Sequence, residues 1–374
     1  MAKASELEDL KFSDPREEEE SAIDHIPKDD RHLRTQAYDM SISDIVGKIT
    51  NGDIVLDPDY QRNYVWDDKR ASLLVESILL NVPIPVIYVA EDEDSAWDVV
   101  DGLQRLNSLS RFFANEFKLK GLEVLNELNG QFHKDLNPKA ARILRNGILR
   151  IILIFKESNQ DIKYEIFMRL NRGAVKLTEQ ELRNCLFRGP FNDLLHDLCA
   201  QGLVQTLLDL DAPHTRMADV ELLLRHFTIK GGYDPATGKI STYSGNMRSS
   251  LNHYMEKVRN LPKDELDRLK KEFLLSAMKV AAVFGADAFH RINSDGTFDD
   301  RLNRAIMDAV MVGVGVHSLD ALKAKEAAVK GVLQRLINED AQFADAITTR
   351  TSDKQRMEYR VHTFTQQLDA VMKG

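Results

Sequence analysis

The chain has 374 residues, 43% of them apolar and 29% charged, with a formal net charge of −9. That is the composition of a globular protein with material for two domains of ordinary size. No apolar run approaches the roughly 18 residues of a membrane-spanning helix, no basic-then-apolar leader opens the chain, and two cysteines, Cys185 and Cys199, support neither a disulfide framework nor a zinc site; a reducing, cytoplasmic setting and no membrane partner are expected.

The charge is unevenly placed. Residues 1–30 carry 11 acidic and 4 basic side chains, a net of −7, with Glu17 to Glu20 in a row. This predicts an acidic, solvated, disordered tail over residues 1–35. Lys139 to Pro190 holds 11 basic and 5 acidic residues, a net of +6. A basic window of this kind meets phosphate or forms a solvated helix face, and the acidic tail is a candidate to mask it.

In chain order, Ser41 to Ile49 reads as a short helix capped by Ser41 or Ser43, and Ile54 to Leu56 as a brief strand before the turn Asp57-Pro58-Asp59. Asp67 or Asp68 caps a helix to about Leu80, which ends before Pro83. Pro83–Ala90, Ser95–Asp101 and Ile148–Phe155 read as strands. Residues 103–115 carry helical spacing, and another helix begins at Asp161. Beyond Leu177 the pattern is helical over 178–187, 191–208, 217–228, 264–284, 301–312, 318–338 and 353–372, with a polar loop at 231–245. The expected fold class is α+β: a small mixed-sheet unit over residues 36–175, then an α-helical domain over 176–374.

Three stretches carry chemistry. In DVVDGLQRLNSLSRFF, residues 98–113, a strand meets a helix at Asp101, Gly102, Gln104 and Arg105. The first N–H groups of a helix have no internal partners and bear partial positive charge, so an anion is stabilised there. Gly102 permits close approach, Arg105 has the fork to hold a phosphate, Asp101 is placed to bind Mg²⁺ through water, and Gln104 to orient a water. A structural Asp-Gly turn accounts for the same spacing. In DPDYQRNYVWD, Arg62 is a candidate for a second phosphate and Gln61 for a polar partner, while Trp66 reads as a core anchor. In IFMRLNRGAVKLTEQELRNCLF, Asn171, Arg172 and Gly173 end one helix, and Thr178 to Glu181 forms a capping box for the next. Arg169, Arg172, Lys176 and Arg183 crowd the same stretch.

Other chemistries find no motif. The sequence lacks a G-x-x-x-x-G-K-[ST] loop, a G-x-G-x-x-G fingerprint after a strand, and an H-E-x-x-H or paired Cys/His cluster. The ten histidines are scattered.

Taken in order, PDYQRNYVWD, VVDGLQR and IFMRLNRGAVKLTEQELR resemble the domain of unknown function 262 family, the N-terminal-like domain of the GmrSD modification-dependent restriction enzymes. MADVELLLRHFTIKGGY and FGADAF add to the resemblance, which spans roughly residues 40–310. It implies a ParB/sulfiredoxin-like fold with phosphate held at a G-x-x-R helix start. It also implies nucleoside-triphosphate binding and Mg²⁺-dependent hydrolysis linked to DNA restriction and phage defence. Carried onto this chain, Asp101, Gln104 and Arg105 are the candidate catalytic residues, and Asp101 the candidate metal residue. Gln61, Arg62, Gly102, Arg105, Asn171 and Arg172 are the candidate nucleotide-binding residues. The family signature D-G-Q-Q-R reads Asp101-Gly102-Leu103-Gln104-Arg105 here, with leucine replacing the first glutamine. No His-Asn-His-type nuclease pattern follows, so a stand-alone member is expected. The leading expectation is an NTPase switch, with DNA or a separate nuclease as partner and oligomerisation left open. The alternative is a non-catalytic DNA-binding or protein-interaction module that regulates a separate nuclease.

Overall fold

A computed structural model describes residues 12, 33–56, 66–92, 94–158, 160–170 and 178–373. The expected acidic tail therefore lies outside the described residues, except for Phe12 and residues 33–35. The chain divides into two compact units, Ile23–Leu186 and Phe187–Gly374, the second grouping with the first 22 residues.

The first unit is built on a five-stranded mixed sheet in the order β1-β5-β3-β4-β2. Its strands are β1 (Thr35–Ser41), β2 (Ile54–Val55), β3 (Ile87–Glu91), β4 (Trp97–Asp101) and β5 (Ile148–Ile154). β5 pairs antiparallel with β1 and parallel with β3; β4 pairs antiparallel with β3 and parallel with β2. In β5, Leu149, Ile151 and Leu153 turn to one face and are buried, while Arg150 is exposed, as the two-residue period of a strand requires. β1 was not anticipated. It is a polar edge strand on which only Tyr38 and Met40 reach the core.

Helices cover both faces. α1 (Ile42–Asn51), α2 (Asp68–Leu79), α3 (Leu103–Phe113) and α4 (Pro138–Asn146) bury one side of the sheet. α5 (Gln160–Leu170) and α6 (Glu179–Leu186) close on the other through Tyr164, Phe167 and Leu182. Ser41 caps α1 by accepting from Asp44 N, and Asp67 caps α2 by accepting from Arg70 N. α4 was also unanticipated, although Asn137 caps it and Pro138 occupies its first turn. The expected capping box on α6 is present and reciprocal: Thr178 N donates to Glu181 Oε2 at 2.5 Å, and Glu181 N to Thr178 Oγ1 at 3.1 Å.

The second unit is helical, with one short hairpin. It contains α7 (Pro190–Cys199), α8 (Gly202–Leu207), α9 (Ala218–Gly232), α10 (Met247–Val258) and α11 (Lys263–Phe284). The hairpin β6 (His290–Ile292) and β7 (Phe298–Leu302) follows, and then α12 (Arg304–Gly313), α13 (Leu319–Ala324), α14 (Glu326–Glu339), α15 (Ala341–Thr348) and α16 (Lys354–Lys373). The helices expected over 191–208 and 318–338 are each broken, at Ala200–Gln201 and at Lys325. α10, α15 and the hairpin were unanticipated. A buried charge network ties α9, α12 and α16: Arg225 Nε and Nη2 each reach Asp308 at 2.8 Å, and Arg360 Nη2 reaches it at 2.6 Å. Among the described residues no helix is long and apolar enough to cross a membrane.

Candidate functional site

The strand–helix joint of the first unit forms as the sequence suggests. β4 runs through Val99 and Val100, which bury on opposite faces of the sheet, and ends at Asp101. Gly102 turns the chain with φ 102° and is the N-cap of α3. That left-handed conformation favours glycine. Space demands it as well: a Cβ there would lie 2.9 Å from Ile87 Cγ1 and 3.2 Å from Arg105 Nη2. With no side chain at the cap, Gly102 makes no side-chain cap bond at the start of α3, where the partial positive charge of the helix N-terminus lies.

Arg105 does something the spacing did not reveal. It donates from Nη2 to Asp101 Oδ2 at 3.0 Å and from both Nη atoms to the carbonyl of Val86 at 3.3 Å, and from Nη1 to the carbonyl of Pro85. The arginine side chain is 11% exposed and the aspartate 41%. The sequence explains the acceptors. Pro83 and Pro85 have no N–H to give a ladder, so the strand expected from Pro83 begins at Ile87 instead. The irregular segment before it turns carbonyls toward α3. Arg105 thus clamps the entry of β3 to the start of α3. This is the contact of a candidate site residue that the sequence did not reveal, and the paired prolines were the available signal.

The neighbouring residues are also engaged. Gln104 Oε1 accepts from Trp66 N at 3.3 Å, so the first described residue after the Gln61-Arg62 stretch is tied to the joint. Leu103 packs, partly buried, on the core of the sheet, as does Trp66. The structure therefore gathers Asp101, Gly102, Gln104 and Arg105. Gln61, Arg62, Asn171 and Arg172 lie outside the described residues.

The basic window separates into different environments. Arg183 is fully buried and paired with Glu179 at 2.9 Å, so it is neither a solvated cation nor a phosphate contact. Arg169 is exposed and pairs with Glu165 at 3.1 Å, and Arg150 pairs with Asp39 at 2.7 Å. Lys139, Arg142 and Arg145 line an exposed side of α4.

Among the described residues the strand–helix joint, 101–105, contributes one carboxylate, and Asp101 Oδ2 is already engaged by Arg105. Among the described residues no group of three or more His, Cys, Asp or Glu gathers as a metal site. The donor set fits a magnesium ion carried by phosphates, which needs one or two protein carboxylates, and does not fit an all-protein cage.

No curated protein matches this chain, and no solved structure matches it. The segment that carries the joint, residues 42–188, matches the family described as the GmrSD restriction endonuclease, N-terminal domain, which supports the GmrSD N-terminal part of the resemblance read from the sequence; the match ends at residue 188, short of the expected 310.

Proposed function

We propose that this chain binds a nucleoside triphosphate at the β4–α3 joint and hydrolyses it as a switch in DNA restriction or phage defence. The observation that carries the reading is the uncapped start of α3 beside Gly102 and Asp101, inside the segment similar to the GmrSD N-terminal domain. Phosphate oxygens sit on the backbone N–H groups of that first turn. The Arg105 guanidinium holds the turn in place and faces the same anion. Asp101 and the phosphates hold magnesium, which supplies charge neutralisation on the phosphate oxygens. Gln104 orients the attacking water. Gln61, Arg62, Asn171 and Arg172 complete the nucleotide contacts. Turnover in such a site comes from positioning and charge stabilisation.

A second reading, a DNA-binding or interaction module without turnover, is favoured by a specific observation. The signature residues are spent on the fold: Leu103 on the core, Gln104 on Trp66, and Arg105 on Asp101 and two carbonyls. The exposed cations of α4 supply a surface for DNA phosphates. The two readings separate in a phosphate-release assay on wild type and Leu103→Gln. Release by wild type, rising in the variant, supports the switch. Absence of release from both, together with salt-dependent DNA binding, supports the module.

A further inference from the structure

The helical unit holds two lysines whose amines meet at one glycine. Lys230 lies in the last turn of α9, Lys279 on α11, and Gly315 in the short turn that follows α12. Lys279 Nζ donates to the Gly315 carbonyl at 2.8 Å. A Cβ built on Gly315 would stand 2.8 Å from Lys230 Nζ and 3.5 Å from Ser276 Oγ. Two ammonium groups and a hydroxyl therefore gather around one glycine.

The burial makes this arrangement informative. Lys279 is 5% exposed and Ser276 3%. Among the described residues, neither lysine has a carboxylate within ion-pair distance, and Lys230 has no hydrogen-bond acceptor. The charged and titratable groups that act on Lys230 through space are Glu272, Lys279 and His226. Burial holds both amines below the ordinary lysine range; Glu272 offsets this for Lys230, and Lys230 adds to it for Lys279. Two like charges beside each other, one of them buried, are costly; Glu272 offsets only part of this for Lys230, and an anion relieves the rest. Lys230 is half-buried, and the neighbouring Leu275 and Val316 are exposed.

We propose that Lys230, Lys279 and Ser276 form a binding site for one phosphate-class oxyanion in the helical unit. A tetrahedral oxyanion accepts from several directions, which matches two rotatable ammonium groups and a hydroxyl. The donors come from two helices and converge at Gly315, so the site fits a single phosphate and not a track along a nucleic-acid backbone. It is independent of the β4–α3 joint.

The test is calorimetric titration of inorganic phosphate into the full chain, against chloride of matched ionic strength. Lys230→Met removes an amine that makes no hydrogen bond among the described residues, so the fold is retained; Ser276→Ala is the milder companion. In the Arg105→Ala background, which removes the phosphate contact proposed at the joint, the chain is expected to bind one phosphate. Lys230→Met is expected to weaken that binding at least about tenfold. In the Arg105→Ala background, a nucleoside triphosphate that binds only when Lys230 is present identifies a nucleotide-borne phosphate; binding of inorganic phosphate alone identifies the free ion. No phosphate binding by wild type, or equal binding by wild type and Lys230→Met, overturns the proposal.

Discussion

Arg105 Nη2 stands 3.0 Å from Asp101 Oδ2, so the two charged residues of the joint are partners across one helical turn. The same guanidinium holds the Pro85 and Val86 carbonyls. Arg105→Ala removes the donors of the part-buried Val86 carbonyl and of the exposed Pro85 carbonyl, and is expected to cost about 1–3 kcal/mol in chemical denaturation. Arg105→Lys, which keeps the charge and loses the fork, is expected to recover only part of that. Unchanged denaturation midpoints would show that the clamp contributes nothing to the fold.

Gly102→Ala places a methyl group against Ile87 at a φ of 102°. A non-glycine residue held there costs roughly 1–3 kcal/mol. The variant is expected to lower stability by that amount and to weaken triphosphate binding. Wild-type stability in Gly102→Ala would contradict the geometry of the joint.

Glu76 lies 5% exposed on α2 and accepts from the backbone N–H groups of Glu123, Val124 and Leu125 at 3.2, 2.8 and 2.8 Å. Burial pushes its pKa up, but the three donors outweigh burial and hold it below the usual carboxylate range. A depressed carboxylate stabilises the fold above its unfolded pKa, and that stability is lost as pH falls through the lower folded pKa. Glu76→Gln is expected to cost about 2 kcal/mol at neutral pH. The difference from wild type is expected to shrink below pH about 4. A pH-independent difference would rule out the charged form as the acceptor.

His226 is buried against Phe227 and Phe273, with ring centroids at 5.6 and 5.3 Å, and burial, then Lys230, depress its pKa to about 3. Between the unfolded imidazole value and that point, only the unfolded chain takes up the proton. Stability therefore falls as pH drops, by up to about 1.4 kcal/mol per pH unit from this group. His226→Phe, which keeps an aromatic ring at the position, is expected to flatten that slope between pH about 6 and 4. An unchanged slope would mean that the ring is protonated in the fold.

Asp308 is shared by two buried guanidiniums, and Asp308→Asn removes the negative charge that Arg225 and Arg360 have in common. A loss of roughly 3–5 kcal/mol is expected in thermal or chemical unfolding. A loss under about 1 kcal/mol would show that the network is not needed for stability.

The elements legible in the sequence were those with strong periodicity or explicit caps: β4 and β5, α2 behind Asp67, α3 behind Gly102, and the Thr178–Glu181 box. β1 escaped because an edge strand buries little, and only Tyr38 and Met40 reveal its two-residue period. α10, whose polar first turn MRSS gives no apolar period, was assigned no element, the expected polar loop ending at residue 245. At the joint, residue types and spacing located Asp101 to Arg105. They did not show that Arg105 is engaged, because its partners lie about twenty residues back in a segment that two prolines keep out of the ladder.

The most direct measurement is a calorimetric titration of nucleoside triphosphates with magnesium into wild type and Arg105→Ala, each confirmed folded by circular dichroism. A phosphate site at the β4–α3 joint predicts saturable binding of at least one triphosphate by wild type, weakened at least about tenfold in the variant. Equal affinity of the two proteins for every triphosphate would contradict it.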